Sequence, residues 1–194
     1  MDFEALKLSK QILQALVELN YKKPTPIQEQ IIPKILAGQD VLGIAPTGTG
    51  KTAAFILPIL RKLNFAQGEN PRALIFVPTR ELAVQVYDNA VELSKYTDLR
   101  CCKLIGGVGK QSQIKEVSAG IDIIIATPGR FMDIYAQGVI FLKKIDTLVL
   151  DEADKMMDMG FLPQLNKILE IIPAKRQNLL FSATFHPKVE ELTE

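Results

Sequence analysis

The segment VLGIAPTGTGKTAAFILPIL, residues 41–60, reads as an apolar strand, a glycine-rich turn and a helix in immediate succession. The apolar run Val41 to Ala45 predicts the strand, and the stretch Ala53 to Leu63 predicts the helix. Gly48 and Gly50 therefore fall where the chain must turn sharply and expose backbone N–H groups at a helix N-terminus, an arrangement that binds phosphate. The loop itself is Ala45, Pro46, Thr47, Gly48, Thr49 and Gly50, with Ala45 standing where the generic pattern has its first glycine. Lys51 is then placed to reach the outer phosphates of a nucleotide, and the Thr52 hydroxyl to reach a magnesium ion. The bland alternative is a glycine-rich turn beside a solvated lysine.

Outward from this segment the pattern repeats. Continuous apolar runs predict strands at Val41 to Ala45, Ala73 to Val77, Cys101 to Ile105, Ile121 to Ala126, Thr147 to Leu150 and Asn178 to Ser182. Amphipathic stretches such as Ile27 to Ala37, Arg80 to Leu93 and Leu162 to Ile171 predict helices between them. Strands rich in Val, Ile and Leu are buried on both faces, which implies an α/β fold: a mainly parallel sheet with helices on both sides. Residues 1–194 read as a single domain, with Asn64 to Arg72 as its clearest surface loop.

In such a sheet ligands bind outside the carboxyl ends of the strands. The polar clusters all fall there: Pro78-Thr79-Arg80-Glu81, Gly106-Gly107, Thr127-Pro128-Gly129-Arg130, Asp151-Glu152-Ala153-Asp154 and Ser182-Ala183-Thr184. Asp151 follows Leu148-Val149-Leu150, as does a strand-tip carboxylate that holds magnesium beside a phosphate loop, and the cofactors indicated are ATP and Mg2+. Glu152 would face the γ-phosphate and orient or deprotonate the attacking water. A solvated acidic helix N-terminus is the structural alternative.

A charged fraction of 23% with net charge +1 provides no basic tail, so nucleic-acid affinity must come from a local surface. Cys101 and Cys102 are adjacent in a strand, which suits neither a disulfide framework nor a zinc site and fits a cytoplasmic setting. No apolar run reaches membrane-spanning length, and no membrane partner is expected. The single histidine, His186, reads as a loop residue, and Met156, Met157 and Met159 as helix packing.

Motifs in a fixed order then point to a family: PTPIQ at Pro24 to Gln28, APTGTGKT at Ala45 to Thr52, PTREL at Pro78 to Leu82, Gly106-Gly107, TPGR at Thr127 to Arg130, DEAD at Asp151 to Asp154, and SAT at Ser182 to Thr184. Over nearly its whole length the sequence resembles the N-terminal, RecA-like lobe of a DEAD-box ATP-dependent RNA helicase. The resemblance implies that Pro24, Thr25 and Gln28 belong to the nucleotide site, with Gln28 on the adenine edge and Phe3 stacked on the ring. On residue chemistry alone, Gln28 would be a surface helix residue and Phe3 a core plug. Asn20 replaces a glycine common in the family, but Asn also tolerates the left-handed turn that ends a helix.

The resemblance further assigns Pro78, Thr79, Arg80, Gly106, Gly107, Thr127, Pro128, Gly129 and Arg130 to the backbone of single-stranded RNA. Thr79 and Thr127 would cap the helices that follow, and ordinary capping is the alternative for both motifs. Ser182 and Thr184 would bond toward Asp154 and couple the nucleotide site to RNA. A DNA-dependent ATPase and a non-catalytic nucleotide-binding module are the competing functions. No counterpart of the family's second lobe, whose arginines reach the γ-phosphate, is found within the chain, and Pro187 to Glu194 reads as the opening of a helix. The expected partners are therefore RNA and a second lobe of the same protein, and the lobe alone is expected to be monomeric and nearly inactive.

Overall fold

The computed structural model describes residues 1–185 and 187–192. His186 and the last two residues of the stretch Pro187 to Glu194 lie outside the described residues. The strands are β1 Val41–Ile44, β2 Ala73–Phe76, β3 Cys101–Leu104, β4 Ile123–Ala126, β5 Thr147–Leu150 and β6 Gln177–Ser182. They form one sheet in the order β1-β6-β5-β2-β4-β3, with every pairing parallel. The predicted α/β class holds, and the strands lie close to the apolar runs. The largest shortfall is at Ile121-Asp122, just before β4, where the Asp122 carboxylate binds Arg72 and Arg100.

Alternation along the strands divides the core in two. The short helical turn Phe3–Leu6 and helices α1 Lys10–Glu18, α2 Pro26–Leu36, α3 Lys51–Leu63 and α4 Arg80–Leu93 cover one face. Their Ile12, Ile32, Phe55 and Val86 pack on Ile75, Ile125, Val149 and Phe181 from the sheet. Helices α5 Lys110–Ser118, α6 Pro128–Tyr135, α7 Ala153–Asp158, α8 Leu162–Ile171 and α9 Pro187–Glu191 follow. Val117, Phe131, Met156, Leu165 and Val189 from these pack on Leu74, Phe76, Ile124 and Leu150, the residues of the opposite face.

Two expectations need correction. β1 is an edge strand, and Leu42 and Ile44 are 44% and 48% exposed rather than buried. Leu42 opens onto a groove of about 360 Å³ of mixed character, shared with Leu169, Leu180, Asp40, Arg176 and Asn178. Met156 and Met157 pack in the core as expected, whereas Met159, at the C-cap of α7, is half exposed. Cys101 and Cys102 are unpaired thiols, and burial pushes both up, Cys101 to about 12.

Candidate functional site

Because the sheet is parallel, the loops leaving its carboxyl ends meet along one rim. A cleft of about 650 Å³ opens there, with Thr25, Gln28, Thr47, Gly48, Gly50, Lys51, Thr52, Asp151 and Glu152 among its walls. α3 starts at Lys51 with Gly50 as its N-cap at φ 81°, in the left-handed region. A Cβ on Gly50 would lie 2.7 Å from Gln28 Nε2 and 2.8 Å from Thr25 Oγ1, so glycine is required twice over. No side-chain hydrogen bond caps α3, which leaves the N–H groups of its first turn for an anion. The Thr49 hydroxyl donates to the Pro46 carbonyl at 2.9 Å and braces the loop.

Lys51 turns from this loop to Asp151, with Nζ 2.8 Å from Oδ1. The pair is close but not aligned as a hydrogen bond, and neither carboxylate oxygen has an aligned donor among the described residues. Burial pushes the Asp151 carboxyl above its usual range, opposed by the Lys51 charge. A buried carboxylate paired only with Lys51, on the same cleft as Thr52, is a donor set that fits a hard, oxygen-seeking cation such as magnesium.

Glu152, next along, adopts φ 53° and ψ 50°, a left-handed conformation unfavourable for a residue with a Cβ. That turn ends β5 and opens α7 while setting Glu152 on the cleft wall. Its carboxylate is 3.6 Å from Lys155 Nζ. Asp154, in the first turn of α7, accepts from the Thr184 hydroxyl at 3.0 Å and from the Thr184 N–H at 3.3 Å. The Ser182 hydroxyl donates to the Thr184 carbonyl at 2.7 Å. Partial burial works against the Asp154 carboxylate, but bonds from the Thr184 hydroxyl and the Lys155 N–H outweigh it and hold its pKa below the usual value.

The other half of the rim, over β2, β4 and β3, gathers the remaining motifs. Thr79 caps α4, accepting from the Leu82 N–H at 3.2 Å. Thr127 stands at the N-cap of α6 with Pro128 first in the helix, but its hydroxyl makes no cap bond, contrary to expectation. The N–H groups of Gly129 and Arg130 thus begin a helix uncapped. Arg80 Nη1 donates to the Gly106 carbonyl at 3.4 Å, and Arg130 Nη1 to the Val108 carbonyl at 2.8 Å. Gly107 sits at φ 79°, and a Cβ there would come within 2.0 Å of Arg80 Nη1.

Comparison with known proteins decides the family. A family model described as DEAD/DEAH box helicase matches residues 25–192. This chain belongs to that family. It is 47% identical over 98% of its length to the ATP-dependent RNA helicase drs1 of Aspergillus oryzae, and 49% identical over 93% of its length to the probable ATP-dependent RNA helicase ddx42 of Dictyostelium discoideum. The DRS1 helicase of Pyricularia oryzae is 45% identical over 98% of this chain. The chain spans only 24%, 19% and 24% of the length of these three relatives.

Around Gln28 this DEAD/DEAH box domain places several residues differently from the picture drawn from resemblance. Phe3 is 6% exposed, packs in the core, and does not line the cleft. The aromatic on the wall is Tyr21, whose ring lies 6.3 Å from that of Phe3. Asn20, at φ 64°, ends α1 as anticipated; its N–H reaches Val17 and the Tyr21 N–H reaches Leu16, a double bond pattern that fixes where Tyr21 emerges. Pro24 is buried beside the wall residues Lys23 and Thr25 but does not itself line the cleft. Gln28 is 3% exposed, not a surface residue. Its Oε1 accepts from the Thr25 N–H at 2.9 Å, and its Nε2 donates to the Gly50 carbonyl at 3.0 Å. Leu82, the last residue of PTREL, lines the wall together with Gln85 and Asn89 of α4, two residues on the same helix that the motifs did not single out.

Proposed function

We propose that this chain is the nucleotide-binding lobe of an ATP-dependent RNA helicase, acting on RNA through its backbone and together with a second lobe of the same protein. The carrying observation is that Lys51, Thr52, Asp151 and Glu152 meet on one cleft, while Arg80 and Arg130 meet at the Gly106-Gly107 loop along the same rim. The α3 N-terminus and Lys51 bind the phosphates, and Thr52 and Asp151 would hold a magnesium ion, which would supply neutralisation of the phosphate charge. Glu152 orients the attacking water and takes its proton.

Gln28 retains one amide hydrogen and one lone pair beyond its bonds to Gly50 and Thr25, and these complement the adenine edge. Tyr21 supplies the apolar ring face. Arg80, Arg130 and the open N–H groups of α6 hold RNA phosphates, which position without reading sequence. The Asp154–Thr184 bond links the nucleotide half of the rim to β6 and carries the coupling. A cytoplasmic location is proposed with this function, supported by the unpaired Cys101 and Cys102.

The test is phosphate release and duplex separation by a protein carrying both lobes, with and without RNA. RNA-stimulated turnover that disappears in Glu152→Gln is expected, and the lobe alone should turn over negligibly. RNA-independent turnover, or near-normal turnover by Glu152→Gln, would contradict the proposal.

A further inference from the structure

Gln113, on α5, is a polar side chain only 3% exposed, and both ends of its amide are engaged. Nε2 donates to the Ile105 carbonyl at 3.0 Å, and Oε1 accepts from Arg130 Nη1 at 3.3 Å. The same Arg130 nitrogen donates to the Val108 carbonyl at 2.8 Å, and Arg80 donates to the Gly106 carbonyl between them. The loop joining β3 to α5 is thus tied by side chains from α4, α5 and α6. Gln113 is the only one of the three that is uncharged and buried, so it contributes no phosphate contact of its own. Among the described residues, the hydrogen bonds of Arg80 and Arg130 all run through Nη1. The guanidinium of Arg130 is therefore gripped at one nitrogen by Gln113 and Val108, with Nη2 and Nε on its other side.

We propose that Gln113 is a positioning residue for RNA: its amide fixes the Arg130 guanidinium against the Gly106-Gly107 loop so that the remaining N–H groups meet a phosphate. A buried amide suits this task because its Nε2 satisfies the buried Ile105 carbonyl while its Oε1 gives Arg130 a second hold beside Val108. The inference rests on the proposed RNA role of this rim and assigns a residue outside its motifs.

The experiment is binding of a fluorescently labelled oligouridylate by this chain across a series of salt concentrations, for the wild type, Arg130→Ala, Gln113→Met, Gln113→Ala and the double variant Gln113→Met with Arg130→Ala. Gln113→Met keeps the buried volume and removes the amide, and ADP affinity reports whether each variant is folded. The expected result is an RNA affinity about tenfold lower in both Gln113 variants, with unchanged ADP binding. The slope of log affinity against log salt should fall by about 0.7, as for the loss of one phosphate contact on a single strand. Arg130→Ala should show the same slope change, and the double variant should bind no worse than Arg130→Ala. Losses that multiply, or Gln113 variants that bind RNA like the wild type while Arg130→Ala does not, would overturn the positioning role. An Arg130→Ala variant with wild-type affinity and slope would instead overturn the RNA role of the rim itself.

Discussion

The ammonium of Lys51 lies 2.8 Å from Oδ1 of Asp151, and the two side chains are 8% and 1% exposed. Removing one partner of a buried pair leaves an uncompensated charge, a larger loss than the pair's own net contribution. Lys51→Met should therefore destabilise the nucleotide-free chain by about 3–5 kcal/mol at pH 8. Burial already raises the Asp151 carboxyl, and a group raised on folding favours the folded state at low pH and loses that contribution as pH rises through its folded value. The loss in Lys51→Met should accordingly be smaller at pH 5 than at pH 8. Urea unfolding at the two pH values checks this, and an equal loss at both would contradict it.

Glu152 holds a left-handed backbone at φ 53° that glycine adopts more readily. Glu152→Gly should be more stable than Glu152→Ala by about 1 kcal/mol, although both lose the carboxylate. Thermal unfolding of the two variants compares them directly. Alanine equal to or better than glycine would show that the turn carries no strain.

Tyr21, and not Phe3, lines the cleft. Tyr21→Leu should weaken ADP binding by about 0.5–1.5 kcal/mol, the range for a ring contact. Phe3→Leu keeps an apolar plug in the core, so it should lower stability by less than about 1.5 kcal/mol and leave ADP affinity unchanged. Calorimetry on both variants distinguishes them; an ADP defect confined to Phe3→Leu would restore Phe3 to the adenine.

Asp122 is fully buried and accepts from Arg100 Nε and Arg72 Nη2, each at 3.1 Å. Burial opposes its charge, but bonds from Arg100, Arg72 and the Gln67 N–H hold its pKa below the ordinary value of 3.8. Such a group stabilises the fold above its unfolded pKa, and the contribution fades as pH falls through the lower folded value. Asp122→Asn should cost about 3–5 kcal/mol at pH 7, and the gap to wild type should narrow as the solution is acidified toward pH 3. A gap independent of pH would assign the effect to packing alone.

The sheet and the phosphate loop were legible because their signals are local. Buried parallel strands need continuous apolar runs, and the turn between Gly48 and Lys51 needs glycines. Asn20 was legible for the same reason, since one residue type at a helix end reports its own backbone. Other features depend on strand order, which spacing does not carry. The exposure of Leu42 and Ile44 follows from β1 lying at an edge. That Tyr21 and not Phe3 lines the cleft was not legible, because motif resemblance does not say which of the two rings faces it. Tyr21 is the one nearer Gln28 in sequence, a clue the apolar pattern did not weigh. Gln85, Asn89 and Gln113 belong to no motif, and only the packing of α4 and α5 brings them to the rim.

The central claim is an adenine-nucleotide site built on Lys51 and Gln28, and calorimetric titration of this chain with ADP and GDP in the presence of magnesium tests it most directly. ADP should bind more tightly than GDP by about 1–3 kcal/mol, the worth of one or two hydrogen bonds at Gln28. Lys51→Ala should abolish or sharply weaken ADP binding. Equal affinities for ADP and GDP, or ADP binding untouched by Lys51→Ala, would contradict the assignment.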